Sequence, residues 1–226
     1  MVSAIVFDFD GVLVNTEPLH LAAYQEVMLA SGLELTREDY YGHYLGYDDD
    51  GVFRRVASAH GWTLDQRRLQ ALVAEKTRVF AAILERTDVL YPDASACVER
   101  LAAKFPLGIA SGALRHEIEM TLRRGGLDRC FRFIVAAGDT TEGKPSPDPY
   151  LHAARLHGFP PPACLAIEDS RWGIASAKAA GLKCVGVATT YPPAELRAAD
   201  RVIRSLSAFG PDLIRGLDAG SPARVL

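Results

Sequence analysis

The chain has 226 residues, of which 49% are hydrophobic and 23% are charged, values that are ordinary for a folded globular protein. Its formal net charge of −3 offers no basic surface, so neither nucleic acid nor anionic lipid is expected as a partner. The sequence has no run of about 18 apolar residues, and its N-terminus lacks the basic segment of a signal peptide. These features predict a cytoplasmic protein without a membrane segment, and a monomer is expected because no coiled-coil pattern is present.

The chain contains four cysteines, which are scattered and include no CxxC pair. Cys97, Cys164 and Cys184 lie in apolar stretches. This placement is typical of buried thiols in a reducing compartment, and we favour that interpretation over disulfides or a zinc site.

The first predicted element is a strand over residues 3–10. It is short, contains β-branched residues and is almost continuously apolar, as is typical of a strand buried on both faces. Gly11 ends it. Residues 16–89 instead carry apolar residues at helical spacing and contain no convincing strand. Three helices are predicted in that region, over residues 17–32, 51–59 and 65–85.

From Tyr91 onward, predicted helices and strands alternate. The strands are predicted over residues 106–110, 133–137, 164–167, 183–187 and 201–203, and the helices over residues 95–104, 114–124, 149–157 and 172–180. This alternation predicts an α/β fold in which helices cover both faces of a parallel sheet. The predicted domains are a core of residues 1–15 and 90–216, an inserted helical domain of residues 16–89, and a frayed tail of residues 217–226.

Acidic residues follow two of the predicted strands. Asp8 and Asp10 end the first strand, and Glu168 and Asp169 follow the strand over residues 164–167. Since the carboxyl ends of parallel strands share one edge of the sheet, the four acids are expected to converge there. Like charges beside an apolar strand are costly, and oxygen ligands suit a hard cation such as Mg²⁺. A turn capped by the first two acids is the alternative, but the second acidic pair favours a metal site.

Two further segments place anion-binding groups near the same edge. Ser111 and Gly112 follow a strand and precede a predicted helix, where a hydroxyl and backbone N–H groups can hold an anion. Lys144 lies in a proline-rich segment that restricts the backbone and can aim its ammonium group at a phosphate. A helix cap and a surface lysine are the alternatives for the two segments taken singly. Together with the acids, they predict a pocket for a phosphate ester beside Mg²⁺.

These segments, in this order, resemble the four motifs of the haloacid dehalogenase superfamily, and the resemblance covers almost the whole chain. The matching segments are residues 8–17 (DFDGVLVNTE), 110–112 (ASG), 143–150 (GKPSPDPY) and 168–170 (EDS). The first and third are highly specific. A helical insertion directly after the first motif resembles the cap of the subgroup that includes phosphoglycolate phosphatase and β-phosphoglucomutase. The resemblance implies a Rossmann-like core with an all-helical cap.

The resemblance assigns a covalent mechanism to the first motif. It implies that Asp8 attacks phosphorus and forms an aspartyl-phosphate. It also implies that Asp10 protonates the leaving oxygen and then activates water, as a general acid and base. The Asp-x-Asp pair argues against the dehalogenase branch, whose members break carbon–halogen bonds without a metal.

The resemblance also implies a set of ligands. Mg²⁺ would be held by Asp8, the main-chain carbonyl of Asp10 and Asp169, with Glu168 binding directly or through water. The oxygens of the transferring phosphoryl group would be neutralised by the Ser111 hydroxyl, the Gly112 N–H and Lys144.

The predicted cap bears on the choice between a hydrolase and a mutase. Four of its residues are candidates for contact with the substrate: Thr16, His20, Tyr47 and Arg54. β-Phosphoglucomutases carry a basic cap segment resembling Lys-Gly-x-x-Arg, whereas the corresponding residues here are Leu45 and Asp49. The acidic run over residues 48–50 would repel a second phosphate, although it also suits the start of a helix.

The sequence therefore predicts a Mg²⁺-dependent phosphatase acting on a small phosphorylated metabolite that resembles a sugar phosphate. A β-phosphoglucomutase-like phosphomutase is the first alternative, and a non-catalytic protein that binds a phosphate ligand is the second. The intact Asp8, Asp10, Lys144 and Asp169 favour an enzyme over a binding protein.

Overall fold

The computed structural model of the chain describes residues 1–218. Two compact units are present. The core unit consists of Met1–Asn15 together with the chain from Val89 onward, and the helical unit is Thr16–Asp88. Within the core unit, the outgoing and returning segments are paired, because the Asn15 N–H donates to the Val89 carbonyl at 2.8 Å.

A six-stranded parallel sheet forms the centre of the core unit. Its strands are β1 (Ala4–Phe7), β2 (Leu107–Ala110), β3 (Phe131–Val135), β4 (Cys164–Glu168), β5 (Lys183–Val187) and β6 (Arg201–Ile203). Their order across the sheet is β3-β2-β1-β4-β5-β6, so the direction of strand addition reverses between β1 and β4. In open α/β sheets such a switch point opens a crevice at the carboxyl ends of the strands, where ligands bind.

The helices differ in role between the two units. Those of the helical unit are α1 (Glu17–Leu29), α2 (Arg37–Asp39), α3 (Asp49–Ala59) and α4 (Gln66–Leu84), and those of the described core unit are α5 (Ala94–Ala102), α6 (Arg115–Arg124), α7 (Asp148–His157), α8 (Arg171–Ala179) and α9 (Pro211–Asp218). Tyr150 of α7 and Ile174 of α8 join Val6 of β1 in one buried cluster. No helix within residues 1–218 is both long and apolar enough to cross a bilayer.

The predicted α/β fold is confirmed, and all six predicted strands lie in the sheet. β1 ends at Phe7, so residues 8–10, predicted as the end of this strand, follow it. β3 begins at Phe131, two residues before the predicted start at residue 133. This strand lies at the edge of the sheet and is only partly buried. The apolar residues that predict it therefore cover only its more buried C-terminal part. Cys97, Cys164 and Cys184 are buried, as their apolar surroundings predict.

Helix α9 is absent from the sequence-based prediction. Leu213 and Leu217 are both buried and lie four residues apart, so they share one face of this short helix. Residues 217 and 218, predicted to belong to a frayed tail, therefore lie in α9. The rest of that tail, residues 219–226, falls outside the described residues.

The helical unit contains the three predicted helices as α1, α3 and α4, and its described residues include no strand. A π-helical turn over Tyr40–Tyr44 lies outside the three predicted helices and closes with a hydrogen bond from the Leu45 N–H to the Tyr40 carbonyl at 3.0 Å. Tyr40 and Tyr44 are buried and stand four residues apart, but a five-residue turn is too short for its periodicity to reveal it in the sequence. Asp48 and Asp65 cap α3 and α4 with their side chains.

A buried polar cluster joins the helices of this unit. Lys76 of α4 is 3% exposed, and its Nζ lies 2.7 Å from Asp49 Oδ1 and 2.8 Å from His20 Nδ1. The Tyr24 hydroxyl donates to the same Asp49 oxygen at 2.5 Å. The His20 ring stacks on Phe80 with ring centroids 4.2 Å apart. The cluster therefore ties α1, α3 and α4 together through groups that satisfy one another.

The position of His20 gives the stability of the protein a defined pH dependence. Burial and the neighbouring Lys76 charge lower the pKa of His20 to about 3, while Asp49 opposes them. In the unfolded chain a histidine titrates near pH 6.5. As the pH falls below about 6.5, His20 binds a proton in the unfolded state but stays neutral in the folded state. The free energy of unfolding therefore decreases as the pH falls.

We predict that the free energy of unfolding falls more steeply from about pH 6.5 to about pH 5 in the wild type than in His20→Asn, by up to about 1.4 kcal/mol per pH unit. Asparagine keeps an oxygen that can accept from Lys76, but it does not titrate. Urea unfolding at several pH values measures the two slopes. His60→Asn, which removes an exposed histidine of the same unit, should follow the wild-type profile. Parallel profiles for the wild type and His20→Asn would contradict the prediction.

Candidate active site

The switch point brings three buried carboxylates together. Asp8 directly follows β1, and its N–H donates to the Ile167 carbonyl of β4 at 2.9 Å. Glu168 ends β4 and Asp169 comes next. Asp8, Glu168 and Asp169 are 8%, 0% and 5% exposed, and each offers an oxygen within 4.8 Å of the others. The predicted convergence of Asp8 with the fourth motif is thus present in the structure.

Lys144 supplies a positive charge to this cluster. Its Nζ lies 2.8 Å from Asp8 Oδ1 and 2.6 Å from Glu168 Oε1. Burial opposes the charge of Lys144, but the two carboxylates outweigh burial and raise its pKa above the ordinary value. Lys144 is therefore a largely buried cation, with 13% of its side chain exposed, that is held against Asp8, and the surface-lysine interpretation is wrong.

Glu168 is the most heavily hydrogen-bonded group of the site. Its Oε1 accepts from Lys144 and from the Tyr150 hydroxyl at 3.0 Å. Its Oε2 accepts from the Asp169 N–H, the Ser170 N–H and the Ser170 hydroxyl, each at 3.1 Å. A carboxylate has about four lone-pair positions, so these five donors leave Glu168 little capacity for a direct bond to a cation. Its main effect on the site is to fix Lys144 and to add negative charge.

The electrostatics of the cluster fit a divalent cation. Burial raises the pKa of Asp8 to about 7, Lys144 opposes this rise, and the charges of Glu168 and Asp10 add to it. Burial and the charges of Glu168 and Asp8 likewise raise the pKa of Asp169 well above its usual value. Carboxylates whose charged forms are so disfavoured gain from a hard cation with oxygen ligands, such as Mg²⁺. The donor set of Asp8 and Asp169 suits such an ion.

Two glycines make room for the acids. Gly11 has φ +73°, and a Cβ at this position would overlap the Asp169 carboxylate and the Thr190 hydroxyl. A Cβ at Gly173, in the first turn of α8, would overlap the Glu168 carboxylate. Any larger residue at either position would force a carboxylate out of its place.

The remaining predicted core residues lie around the cluster. Ser111 is 6% exposed, and its hydroxyl accepts from the Ala113 N–H at 3.1 Å. The N-cap of α6 is Leu114, so Ser111 is not the helix cap that the alternative interpretation required. Gly112 faces open space at its Cβ position. Asp10 does not join the group of three clustered carboxylates, although its charge reaches Asp8.

The four predicted substrate contacts of the helical unit have different surroundings. Thr16 is buried and precedes α1, and its carbonyl accepts from the His20 N–H at 3.0 Å. His20 belongs to the buried polar cluster. Arg54 donates to Gln66 Oε1 at 2.8 Å. Tyr47 is 45% exposed, and the Arg55 guanidinium lies 3.8 Å from the centre of its ring.

The acidic run over residues 48–50 is engaged inside the helical unit. Asp48 is the N-cap of α3 and accepts from the Gly51 N–H at 2.8 Å, so its predicted capping role is confirmed. Asp49 pairs with Lys76 at 2.7 Å. Because a lysine offsets the charge of Asp49, repulsion of a second phosphate by that residue is weaker than the sequence alone implies.

The sequence analysis did not identify three residues that contact the site. Tyr150 is fully buried, and its hydroxyl holds Glu168. Thr189 and Thr190 lie on the turn after β5 and contact Gly11 and Asp169. Tyr150 falls within the third motif, so the sequence contains a signal that could have identified it. The two threonines belong to no motif, and only the fold brings them to the site.

The family of the chain follows from comparisons with known proteins. The model of the haloacid dehalogenase-like hydrolase family matches residues 2–181. Protein CbbY of Rhodobacter capsulatus is 34% identical to this chain, and the match covers 93% of this chain and 96% of CbbY. Fructose-1-phosphate phosphatase YqaB of Escherichia coli is 29% identical, and the match covers 82% of this chain and 96% of that protein.

A solved structure is similar over nearly the full length. The crystal structure of a CbbY mutant from Rhodobacter sphaeroides in complex with xylulose-(1,5)bisphosphate has a TM-score of 0.79 and 29% identity. The match covers 93% of this chain and 97% of that one. The matched family model, the sequence relatives and the shared fold lead to one conclusion: the chain belongs to the haloacid dehalogenase-like hydrolase family, in its phosphatase-like subgroup.

Proposed function

We propose that this protein is a Mg²⁺-dependent phosphatase that hydrolyses a small phosphorylated metabolite through an aspartyl-phosphate on Asp8. The contact between Lys144 and Asp8, inside a group of three buried carboxylates, carries the proposal. A site that only binds phosphate requires positively charged groups. Here the carboxylate of Asp8 lies beside the ammonium group of Lys144. Such a pair suits a nucleophile whose charge is held in place until the phosphoryl group arrives.

The metal would be held by Asp8 and Asp169, with the main-chain carbonyl of Asp10 as a third ligand. Glu168 would contribute its charge and fix Lys144, because its oxygens already accept five hydrogen bonds. When bound, Mg²⁺ neutralises negative charge on the phosphoryl oxygens and on the carboxylates.

The residues of the first motif divide the reaction into two steps. Asp8 attacks phosphorus while the bond to the ester oxygen breaks, and Asp10 gives that oxygen its proton. Asp10, now a carboxylate, takes a proton from water as the water attacks the phosphoryl group. Inorganic phosphate leaves and Asp8 regains its carboxylate. Lys144, the Ser111 hydroxyl and the Gly112 N–H stabilise the transferring oxygens.

The relatives support a sugar phosphate as the class of substrate. One is named a fructose-1-phosphate phosphatase, and the CbbY structure holds a sugar bisphosphate. We extend this chemistry to the present chain because the matches to the CbbY proteins span nearly its whole length. We also propose that the protein works in the cytoplasm, since its four free thiols suit a reducing compartment. We further propose that it is a monomer.

We predict that Asp8→Asn loses at least about 1,000-fold in phosphate release, because the amide removes the nucleophile. Release of inorganic phosphate from a panel of sugar phosphates measures this loss. Asp128→Asn, which changes an exposed acid of the same unit, is the matched control and should retain wild-type activity. Wild-type turnover by Asp8→Asn would contradict the mechanism. A wild type that binds sugar phosphates without releasing phosphate would support the non-catalytic alternative.

Removal of the metal gives a second prediction. Treatment with EDTA should stop phosphate release, because the buried carboxylates then keep their raised pKa values and their mutual repulsion. Added Mg²⁺ should restore the rate in a saturable manner. The measurement is the initial rate on a generic aryl phosphate against the concentration of free Mg²⁺. Turnover that persists in metal-free buffer would rule out the proposed chemistry.

The phosphomutase alternative is tested by its products. We predict that β-glucose 1-phosphate, supplied with a catalytic amount of the bisphosphate, yields free phosphate rather than glucose 6-phosphate. The reason is that Leu45 stands where a mutase has a lysine to grip the second phosphate. Coupled assays for phosphate and for glucose 6-phosphate follow both products in one sample. Accumulation of glucose 6-phosphate as the main product would favour the mutase.

A further inference from the structure

The turn that follows β5 is fixed to the rest of the core unit at several points. The Ala188 N–H donates to the Ile203 carbonyl of β6 at 2.8 Å, and the Thr189 N–H donates to the Val187 carbonyl at 3.0 Å. The Thr189 hydroxyl donates to the carbonyl of Gly11, just after Asp10. The turn is thus bound both to its own sheet and to the first motif.

The next residue of the turn reaches the fourth motif. The Thr190 hydroxyl donates a hydrogen bond to the Asp169 carboxylate. Both groups lie directly over Gly11, since a Cβ there would overlap each of them. Gly11, Asp169 and Thr190 therefore form one compact contact between three segments that are far apart in the sequence.

Asp169 needs such a partner because of its place in the chain. It lies in a bend between β4 and α8 and belongs to neither element. Its N–H is held by Glu168, but that bond does not fix the direction of its own carboxylate. A carboxylate has two oxygens, so Asp169 can accept from Thr190 and still offer an oxygen to a cation.

We propose that Thr190 is a positioning residue for the metal site, which holds the Asp169 carboxylate in the orientation that binds the divalent cation. The inference rests on the metal site of the proposed function and adds a residue from outside the family motifs. Hydrogen bonds to metal-ligating carboxylates typically change metal affinity by 10- to 100-fold. The hydroxyl of Thr190, and not the volume of its side chain, supplies this effect.

The test compares three variants of the full chain. Thr190→Val keeps the shape but removes the hydroxyl, Thr190→Ser keeps the hydroxyl, and Thr140→Val removes an exposed hydroxyl that bonds the Glu142 carbonyl elsewhere. Calorimetric titration with Mg²⁺ gives a dissociation constant without any assay of activity. We expect a rise of about 10- to 100-fold for Thr190→Val, within about threefold of wild type for Thr190→Ser, and no change for Thr140→Val.

Kinetics provide a second readout. At saturating Mg²⁺, kcat of Thr190→Val should recover towards the wild-type value, because excess metal restores occupancy. A loss of kcat that Mg²⁺ does not relieve would overturn the inference, as would equal Mg²⁺ affinity in Thr190→Val and the wild type. Equal weakening by valine and serine would also overturn it. Thermal unfolding in EDTA checks the fold, and Thr190→Ala replaces the valine variant if valine lowers the melting temperature.

The wild type separates failure of this inference from failure of the proposed function. Saturable Mg²⁺ binding by the wild type together with unchanged binding by Thr190→Val would overturn the role of Thr190 and leave the metal site intact. A wild type that shows no Mg²⁺ binding would overturn both.

Discussion

Buried negative charge at the carboxyl ends of β1 and β4 is the constraint on which the core unit depends. Asp8, Glu168 and Asp169 are almost fully removed from water, and Lys144 contacts two of them. Removing a carboxylate from water without compensation costs several kcal/mol. The raised pKa values of Asp8 and Asp169 show that Lys144 does not compensate the whole cluster. The surrounding structure must therefore hold these charges in place.

Several parts of the fold serve that purpose. The parallel register of β1 and β4 fixes the backbone at Asp8 and Glu168 independently of their side chains. Glycine at positions 11 and 173 lets the carboxylates approach the backbone. Tyr150, buried in α7, orients Glu168, and Glu168 in turn orients Lys144. The groups of the candidate active site are thus supported by a surrounding layer of hydrogen bonds on rigid elements, the arrangement that a preorganised site requires.

The sequence predicted much of this because the relevant signals are local. β1 and β4 are short apolar runs that end in acids, and the rule for parallel sheets then places those acids on one edge. Local sequence patterns did not reveal features that depend on the three-dimensional fold. Thr190 contacts Asp169 only because β5 lies beside β4, and the π-helical turn over Tyr40–Tyr44 is too short to show a period in the sequence. An edge strand such as β3 shows its apolar pattern only at its buried end.

The helical unit shows how a charge can mislead when its partner is remote in sequence. Asp49 is one of three consecutive acids, which together predict a surface that repels phosphate. Its partner Lys76 lies 27 residues away and is itself buried, so the pair is close to neutral and ties α3 to α4. A mutase is therefore disfavoured by the absence of a base, since Leu45 stands in place of lysine, and not by the charge of Asp49. Arg55, stacked on the half-exposed Tyr47, is by contrast a cation of the helical unit that stays exposed.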